Sequence, residues 1–380
     1  MTTLLPPSTS PLRRAAGAVL RSPVGTLASA LVGPHGLDRY LELVDPLLAR
    51  DVNRAIVTGL RRESRGTTTM TLRPARPVAH RAGQFVELTV EIDGTRYTRC
   101  YSISSSEHRG DGQFTLTVKA DPNGRVSPHL VEVIGRGTIV EVSESLGDFV
   151  LDQDVPNVER LLLVSAGSGI TAVMSILRTL VDSDAGTHIT FLHYARTRAD
   201  LAFADELALI GQRANVDVTI VLTQDPSGTA HGLTGHLAAG HVAATIGDVV
   251  GVPTYVCGPS SLLDAATTMW TELGMLGDLH VERFQLAPMA QPDPDHVGGT
   301  LTFADSRREV VATATTILAQ AEAAGLTPKA GCRMGICHTC IRPKLAGQVR
   351  DVRDGRLSSC GPQEIQICIS APVGDVTIDL

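Results

Sequence analysis

Three cysteines stand at Cys332, Cys337 and Cys340, a C-x4-C-x2-C spacing, and Cys368 follows Cys340 after 27 residues. A chain that brings these four thiolates together must wrap its backbone around an inorganic centre, which narrows the fold more than any other feature. The spacing matches the plant-type pattern for holding a [2Fe–2S] cluster. Thiolate sulfur suits iron–sulfur centres and zinc alike. Structural zinc usually takes two C-x2-C pairs, which this is not. Among the intervening residues, Gly335 lets the backbone turn closely and present N–H groups to sulfur. Cys360 competes for the fourth place, but Ser358-Ser359-Cys360-Gly361-Pro362 reads as a loop. Cys368 lies in an apolar, strand-like run and is preferred.

The other cysteines are Cys100 and Cys257. An odd count with five clustered late is not a secreted disulfide scaffold. It points to a reducing compartment, so a cytoplasmic location is expected. The 380 residues suggest two or three domains, and 43% hydrophobic content with 19% charged residues is an ordinary globular profile. The net charge of −7 comes without a basic block, which argues against nucleic acid as a partner. No run of about 20 apolar residues predicts a transmembrane helix. Arg13, Arg14 and Arg21 sit among Ala, Leu and Val near the start, but Pro6, Pro7, Pro11 and Pro23 interrupt them. This stretch reads as a lead-in with a short helix, with peripheral membrane contact as an alternative.

The texture divides the chain into 1–50, a helical lead-in; 51–152, an antiparallel β region; 153–286, alternating strands and helices; 287–299, a linker with three prolines and two glycines; and 300–380, the cysteine-bearing domain. Strands are predicted at Thr67–Leu72, Phe85–Ile92 and Phe114–Val118 from β-branched and alternating residues. Strands at Leu161–Val164, His188–Tyr194, Val216–Leu222 and Thr254–Val256 alternate with helices at Thr171–Leu180, Ala204–Ile210, Leu233–Ala239 and Leu262–Leu273. That alternation means a parallel α/β sheet. In the last domain, Thr300–Phe303, Glu309–Ala312, Ile365–Ile369 and Asp375–Ile378 read as strands and Ile317–Ala324 as a helix. Leu37–Leu48 has helical apolar spacing.

Arg99-Cys100-Tyr101-Ser102 ends a strand and resembles the Arg-x-Tyr-Ser signature of the ferredoxin–NADP reductase superfamily. Ala82-Gly83-Gln84-Phe85 before it, Ile103-Ser104-Ser105 after it and Leu146-Gly147-Asp148-Phe149 also fit that family. The resemblance implies a flavin barrel. Arg99 would pair with the flavin phosphate through its rigid fork, Tyr101 would stack on the ring system, and Ser102 would hydrogen-bond at its reactive edge. Gly124-Arg125-Val126-Ser127 resembles the family's phosphate-holding turn at a helix start. An ordinary turn capped by Ser127 is the alternative. FAD is the implied flavin, with FMN the minor option.

Ser165-Ala166-Gly167-Ser168-Gly169-Ile170-Thr171-Ala172 follows a buried-type strand and opens a helix, resembling a dinucleotide turn. Gly167, Gly169 and Thr171 would bind the nucleotide. After the next strand come Arg196 and Arg198, which favour the 2′-phosphate of NADPH, whereas NADH would call for a carboxylate there. Val256-Cys257-Gly258-Pro259 resembles the family's Cys-Gly-Pro turn. This places Gly258 at the nicotinamide and Cys257 beside the hydride path, as a catalytic residue with Ser102. Glu282-Arg283-Phe284 resembles a Glu-x-Phe segment whose aromatic covers the flavin. Residues 300–380 resemble the plant-type ferredoxin domain, with Cys332, Cys337, Cys340 and Cys368 as ligands.

Together these imply an antiparallel β-barrel flavin domain, a parallel α/β nucleotide-binding domain and a β-grasp ferredoxin domain. A hydride from NADPH would enter the flavin as two electrons and leave singly through a cluster near −400 mV, about the plant-type value. No protein acid, base or nucleophile is required. The domain order and Gly36-Leu37-Asp38-Arg39-Tyr40-Leu41 resemble bacterial reductases serving membrane fatty-acyl desaturases. Reductases of ring-hydroxylating or phenylacetyl-CoA oxygenases are near relatives, and an Fe–S redox sensor is the alternative from another class.

Overall fold

A computed structural model describes residues 45–48, 51–152, 158–225, 233–284, 298–331, 333, 335, 338–353 and 355–380. The first unit is a six-stranded antiparallel sheet: β1 (Arg54–Ser64), β2 (Thr67–Pro74), β3 (Phe85–Ile92), β4 (Thr95–Ser102), β5 (Phe114–Lys119) and β6 (Ile139–Val142), in the order β4-β3-β6-β1-β2-β5. β3 shows why it forms. Val86, Leu88, Val90 and Ile92 alternate inward, while Glu87, Thr89 and Glu91 face out. A bridge between Ile103 and Leu116 joins the end of β4 to β5 and closes the barrel. The short helix α1 (Val126–Glu132) lays Val126, Leu130 and Val131 onto its core.

The second unit is parallel: β7 (Arg160–Ala166), β8 (His188–Ala195), β9 (Val216–Leu222), β10 (Thr254–Gly258) and β11 (Leu279–Arg283), in the order β11-β10-β7-β8-β9. β7 is apolar through Leu161–Val164 because helices cover both faces. The helices are α2 (Ile170–Asp182), α3 (Ala204–Ile210), α4 (Ala239–Thr245) and α5 (Ser260–Glu272). α2 is buried on nearly every side because it lies between this sheet and the barrel. Ser175 Oγ donates to Ser105 O at 2.8 Å, and Thr179 Oγ1 accepts from Glu107 N at 3.1 Å. Arg178 donates to Ser104 O and to both oxygens of Glu206, at 2.7 Å each. The two units therefore meet along a polar seam and an apolar contact, with Ala82, Phe149 and Leu151 joining the core around α2 while the barrel keeps a core of its own.

The third unit contains β12 (Thr300–Phe303), β13 (Arg308–Val311), helix α6 (Ile317–Ala323), β14 (Ile341–Asp351), β15 (Gln363–Gln366) and β16 (Ser370–Ile378), in the order β13-β12-β16-β14-β15. β12 and β16 run parallel and the other pairs antiparallel. With α6 packed on one face, this is the mixed sheet-and-helix arrangement expected of the ferredoxin domain. The α/β multidomain reading therefore holds.

Several local expectations are corrected. The helix expected at Leu233–Ala239 begins only at Ala239, because Gly235 takes a positive φ of 85° and breaks the segment. The apolar run Ile365–Ile369 is strand only to Gln366. Ile367, Cys368 and Ile369 form a buried turn, closed by Ile369 N donating to Gln366 O at 3.1 Å. A short buried run does not distinguish the two states. β16 starts five residues before the expected Asp375. Of Leu37–Leu48, only Pro46–Leu48 is a described helix, a 3-10 turn; 37–44 lie outside the described residues, as do 287–297 of the expected linker. No helix among the described residues is long and apolar enough to cross a membrane.

Candidate functional site

β4, the β5–α1 turn, the start of α2 and the end of β11 meet around a cavity of about 290 Å³. Its walls include Arg99, Tyr101, Ser102, Gly124, Ser127, Thr171 and Phe284. All six residues expected to hold the flavin thus converge, although their sequence positions span 185 residues. Tyr101 and Ser102 sit there because β4 pairs with β3 in register, Phe85 opposite Ser102 and Val86 opposite Tyr101. Burial raises the Tyr101 phenol above its usual range, with Arg99 pulling the other way, so the hydroxyl keeps its proton. Burial, then Arg333, lowers the proton affinity of Arg99. Ser127 does not cap α1: Arg125 is the N-cap residue, and Ser127 Oγ accepts from Asp121 N at 3.0 Å. This hydrogen bond ties the turn together with Gly124 facing the cavity.

A second cavity, of about 480 Å³, opens at the carboxyl ends of β7, β8 and β10. It lies where the strand order reverses on either side of β7, the usual crevice for a nucleotide in an open α/β sheet. Gly167, Arg196, Gly258 and Phe284 line it, as does Ser168. Gly169 and Arg198 line neither cavity; Arg198 is exposed. Gly169 matters through its closeness to β10. A Cβ there would lie 2.1 Å from the carbonyl oxygen of Cys257. Gly169→Ala is therefore expected to push the turn after β10 out of place and raise the KM for the pyridine nucleotide about tenfold or more. Steady-state kinetics and a thermal melt check it together, since an unchanged KM would show that the backbone absorbs the methyl group.

Cys257, expected beside the hydride path, is not among the residues of either cavity. Its side chain is fully buried in the core that includes Phe149 and Tyr255. Burial, then Glu282, pushes its thiol well above the ordinary range. The folded protein keeps it protonated and shielded at pH 8, so iodoacetamide is expected to label exposed Cys360 and leave Cys257 untouched until unfolding, as read by mass spectrometry.

In the third unit Cys340 and Cys368 are each 2% exposed in one apolar cluster. Ile367 N donates to Cys340 O at 3.3 Å and draws the two segments together. Cys360 is exposed. Cys332 and Cys337 lie outside the described residues. A dry pair of soft donors beside left-handed Arg333 (φ 60°), Gly335 (φ 78°) and His338 (φ 59°) fits a cluster site.

Three families match along the chain: an oxidoreductase FAD-binding domain over residues 59–151, an oxidoreductase NAD-binding domain over 163–268, and a 2Fe-2S iron-sulfur cluster binding domain over 301–372. An NADPH oxidoreductase of Mycobacterium tuberculosis is 36% identical over 93% of this chain and 91% of its own length. The chain belongs to the ferredoxin–NADP reductase superfamily, with a C-terminal [2Fe–2S] ferredoxin domain. The reductase is also similar to the reductase subunit of glycine betaine monooxygenase from Chromohalobacter salexigens, 32% identical over 78% of this chain and 86% of that one. Among solved structures, phthalate dioxygenase reductase aligns at a TM-score of 0.61 and 24% identity, covering 86% of this chain and 97% of that chain; the likeness is one of fold. The reductase is an NAD(P)H oxidoreductase whose cofactors are FAD, a [2Fe–2S] cluster and a pyridine nucleotide.

Sequence reasoning passed over two residues of the reductase. Lys119 lines both cavities, and its Nζ lies 3.6 Å from Asp200 Oδ1. Asp200, also 3.6 Å from Arg196, lines the nucleotide cavity. Burial opposes its ionisation, but the Thr197 hydroxyl at 2.8 Å, Lys119 and Arg196 outweigh this and hold its carboxyl below the usual range. Lys119 ends a barrel strand, so its position at a domain junction had no local signal. Asp200 stands four residues past Arg196, and that spacing was the available clue.

Proposed function

We propose that this reductase takes a hydride from NADPH and delivers single electrons to an O2-activating metal enzyme, most specifically a membrane fatty-acyl-CoA desaturase. The convergence of the six flavin residues on one cavity carries the reading, because it sets a flavin site against the nucleotide cavity with Phe284 and Ser168 on both walls. FAD accepts two electrons together and can pass them on singly, which matches a one-electron cluster. The chain's own work is to bind, orient and exclude water. Arg99 grips the flavin phosphate, Gly124 and Ser127 form the adjoining turn, Tyr101 stacks, Ser102 hydrogen-bonds, and Phe284 covers the ring. Gly167, Gly169, Thr171 and Gly258 shape the nucleotide turns, and Arg196 meets the 2′-phosphate. Cys332, Cys337, Cys340 and Cys368 hold the cluster. In this reading the flavin domain spans 51–152, the nucleotide domain 153–286 and the ferredoxin domain 300–380, and the protein works in the cytoplasm.

The desaturase assignment draws on the lead-in. A match over 93% of the chain leaves out about 27 residues, so the similarity to the M. tuberculosis protein reaches into 1–50. The glycine betaine monooxygenase reductase matches only 78%. A second reading, reductase of a soluble oxygenase, is favoured by the names of that relative and of a component of the 1,2-phenylacetyl-CoA epoxidase of Escherichia coli, 28% identical. NADH as donor is favoured by Asp200 on the nucleotide wall, the kind of carboxylate that binds a ribose hydroxyl. The deciding experiment combines the reductase, NADPH and desaturase-containing membranes and measures unsaturated acyl product. Product that depends on all three is expected; none there, with turnover of an added oxygenase component, would transfer the reductase to the second reading.

A further inference from the structure

The ligand loop of the ferredoxin domain is tied to the flavin barrel at one end and to its own helix α6 at the other. Thr339, immediately before Cys340, donates its hydroxyl hydrogen to Glu87 Oε1 at 3.1 Å, across 252 residues of sequence. At the other end, Arg333 follows Cys332 and is held by Glu322 of α6 through two hydrogen bonds of 2.8 and 2.6 Å. That pair lies within electrostatic reach of Arg99 on β4, which Arg333 opposes and Glu322 supports. Glu87 is directly opposite Cys100 in the β3–β4 pairing, one residue from Arg99 and Tyr101 along β4. The strand behind it is pinned: Glu87 N donates to Ser143 Oγ at 2.9 Å and its carbonyl accepts from Ser143 N at 3.0 Å.

We infer that Glu87 and Thr339 form an interdomain latch that positions the cluster-bearing loop against the flavin strands and so sets the rate of electron passage between the two centres. Both are positioning residues, since neither lines the flavin cavity. The latch has reason to exist. Left-handed backbone at Arg333 and His338 is costly for non-glycine residues and persists only where the surroundings enforce it. The latch and the Arg333–Glu322 pair act immediately beside those two positions. The inference rests on Cys340 being a cluster ligand, and the iron and sulfide content of the unaltered protein tests that separately.

The test compares E87A, E87Q and T339V in full-length, cofactor-loaded protein. Stopped-flow mixing with NADPH should show flavin bleaching at the normal rate and cluster reduction slowed about three- to tenfold in E87A and T339V. E87Q, whose amide oxygen still accepts, should retain at least half the normal cluster rate. Hydrogen exchange, read without any substrate, should show the amides of 338–341 losing protection in E87A and keeping it in E87Q. The cluster's electron paramagnetic resonance spectrum and midpoint potential should be unchanged throughout. Normal cluster reduction in both E87A and T339V would overturn the inference. So would E87Q behaving like E87A, or an altered cluster spectrum in T339V, which would make Thr339 a determinant of the centre itself.

Discussion

Cys368→Ser protein is expected to emerge from purification yellow but depleted of iron and acid-labile sulfide, while Cys360→Ser protein keeps both. A serine oxygen is hard and protonated at neutral pH and replaces a soft thiolate poorly. Losing a contact in the outer shell of a metal site already costs roughly 10–100-fold, so losing a ligand should cut cytochrome c reduction by roughly a hundredfold or more. Ferricyanide reduction, which can draw on the flavin, should stay within about twofold, because the altered turn lies in a separate hydrophobic cluster from the flavin barrel. The burial of Cys340 and Cys368 against the exposure of Cys360 underlies the contrast. Equal loss of both activities would contradict the electron order, and cluster loss in the Cys360 variant alone would reassign the fourth ligand. Cys337→Ser should behave as Cys368→Ser does.

The second large effect concerns the nucleotide. Arg196→Ala should raise the KM for NADPH roughly tenfold or more, with the NADH value changed by less than about twofold, since a charge-assisted hydrogen bond of about 1.5–3 kcal/mol is lost only with the phosphorylated donor. Arg196 is 62% exposed and its one described ion pair, to Asp200, spans 3.6 Å. Such a surface pair holds a side chain weakly, by about 0–1 kcal/mol, so the guanidinium can turn to a phosphate. Arg198→Ala, off the cavity wall, is expected to change neither value appreciably. Asp200→Asn then addresses the competing reading: a loss confined to NADH would show that the carboxylate holds a ribose hydroxyl.

Much of the architecture was legible because elements with clear apolar patterning announce themselves. Ala204–Ile210 and Val216–Leu222 coincide with the sequence expectation residue for residue. The residues that converge on the first cavity were legible because short strings such as Arg99–Ser102 combine rare residue types at fixed spacing. What failed was short or depended on the tertiary surroundings. β14 carries Arg342, Lys344, Gln348 and Arg350 and has no apolar alternation to signal a strand. Lys344 would be read as solvated, yet it is fully buried, and its Nζ donates to the carbonyls of Gly347 at 2.8 Å, Ser359 at 2.9 Å and Gly361. Only the folded loop supplies those acceptors. The burial of Cys257 has a related reason: the Cys-Gly-Pro string locates a turn, but the direction of its thiol is decided by what packs behind β10.

The strand order of the third unit bears on how the protein is made. β16, flanked by β12 and β14, is the central strand of its sheet and the last of the five to leave the ribosome. Cys368 emerges only just ahead of it. The earlier two units can settle as they are synthesised, whereas β12 and β14 must wait as separate pieces with Cys332, Cys337 and Cys340 already exposed to the cell. With Cys368 as the fourth ligand, as proposed, the ligand set is complete only when that last segment has emerged, and a shortage of iron would be expected to leave a yellow, half-finished protein that still oxidises its nucleotide.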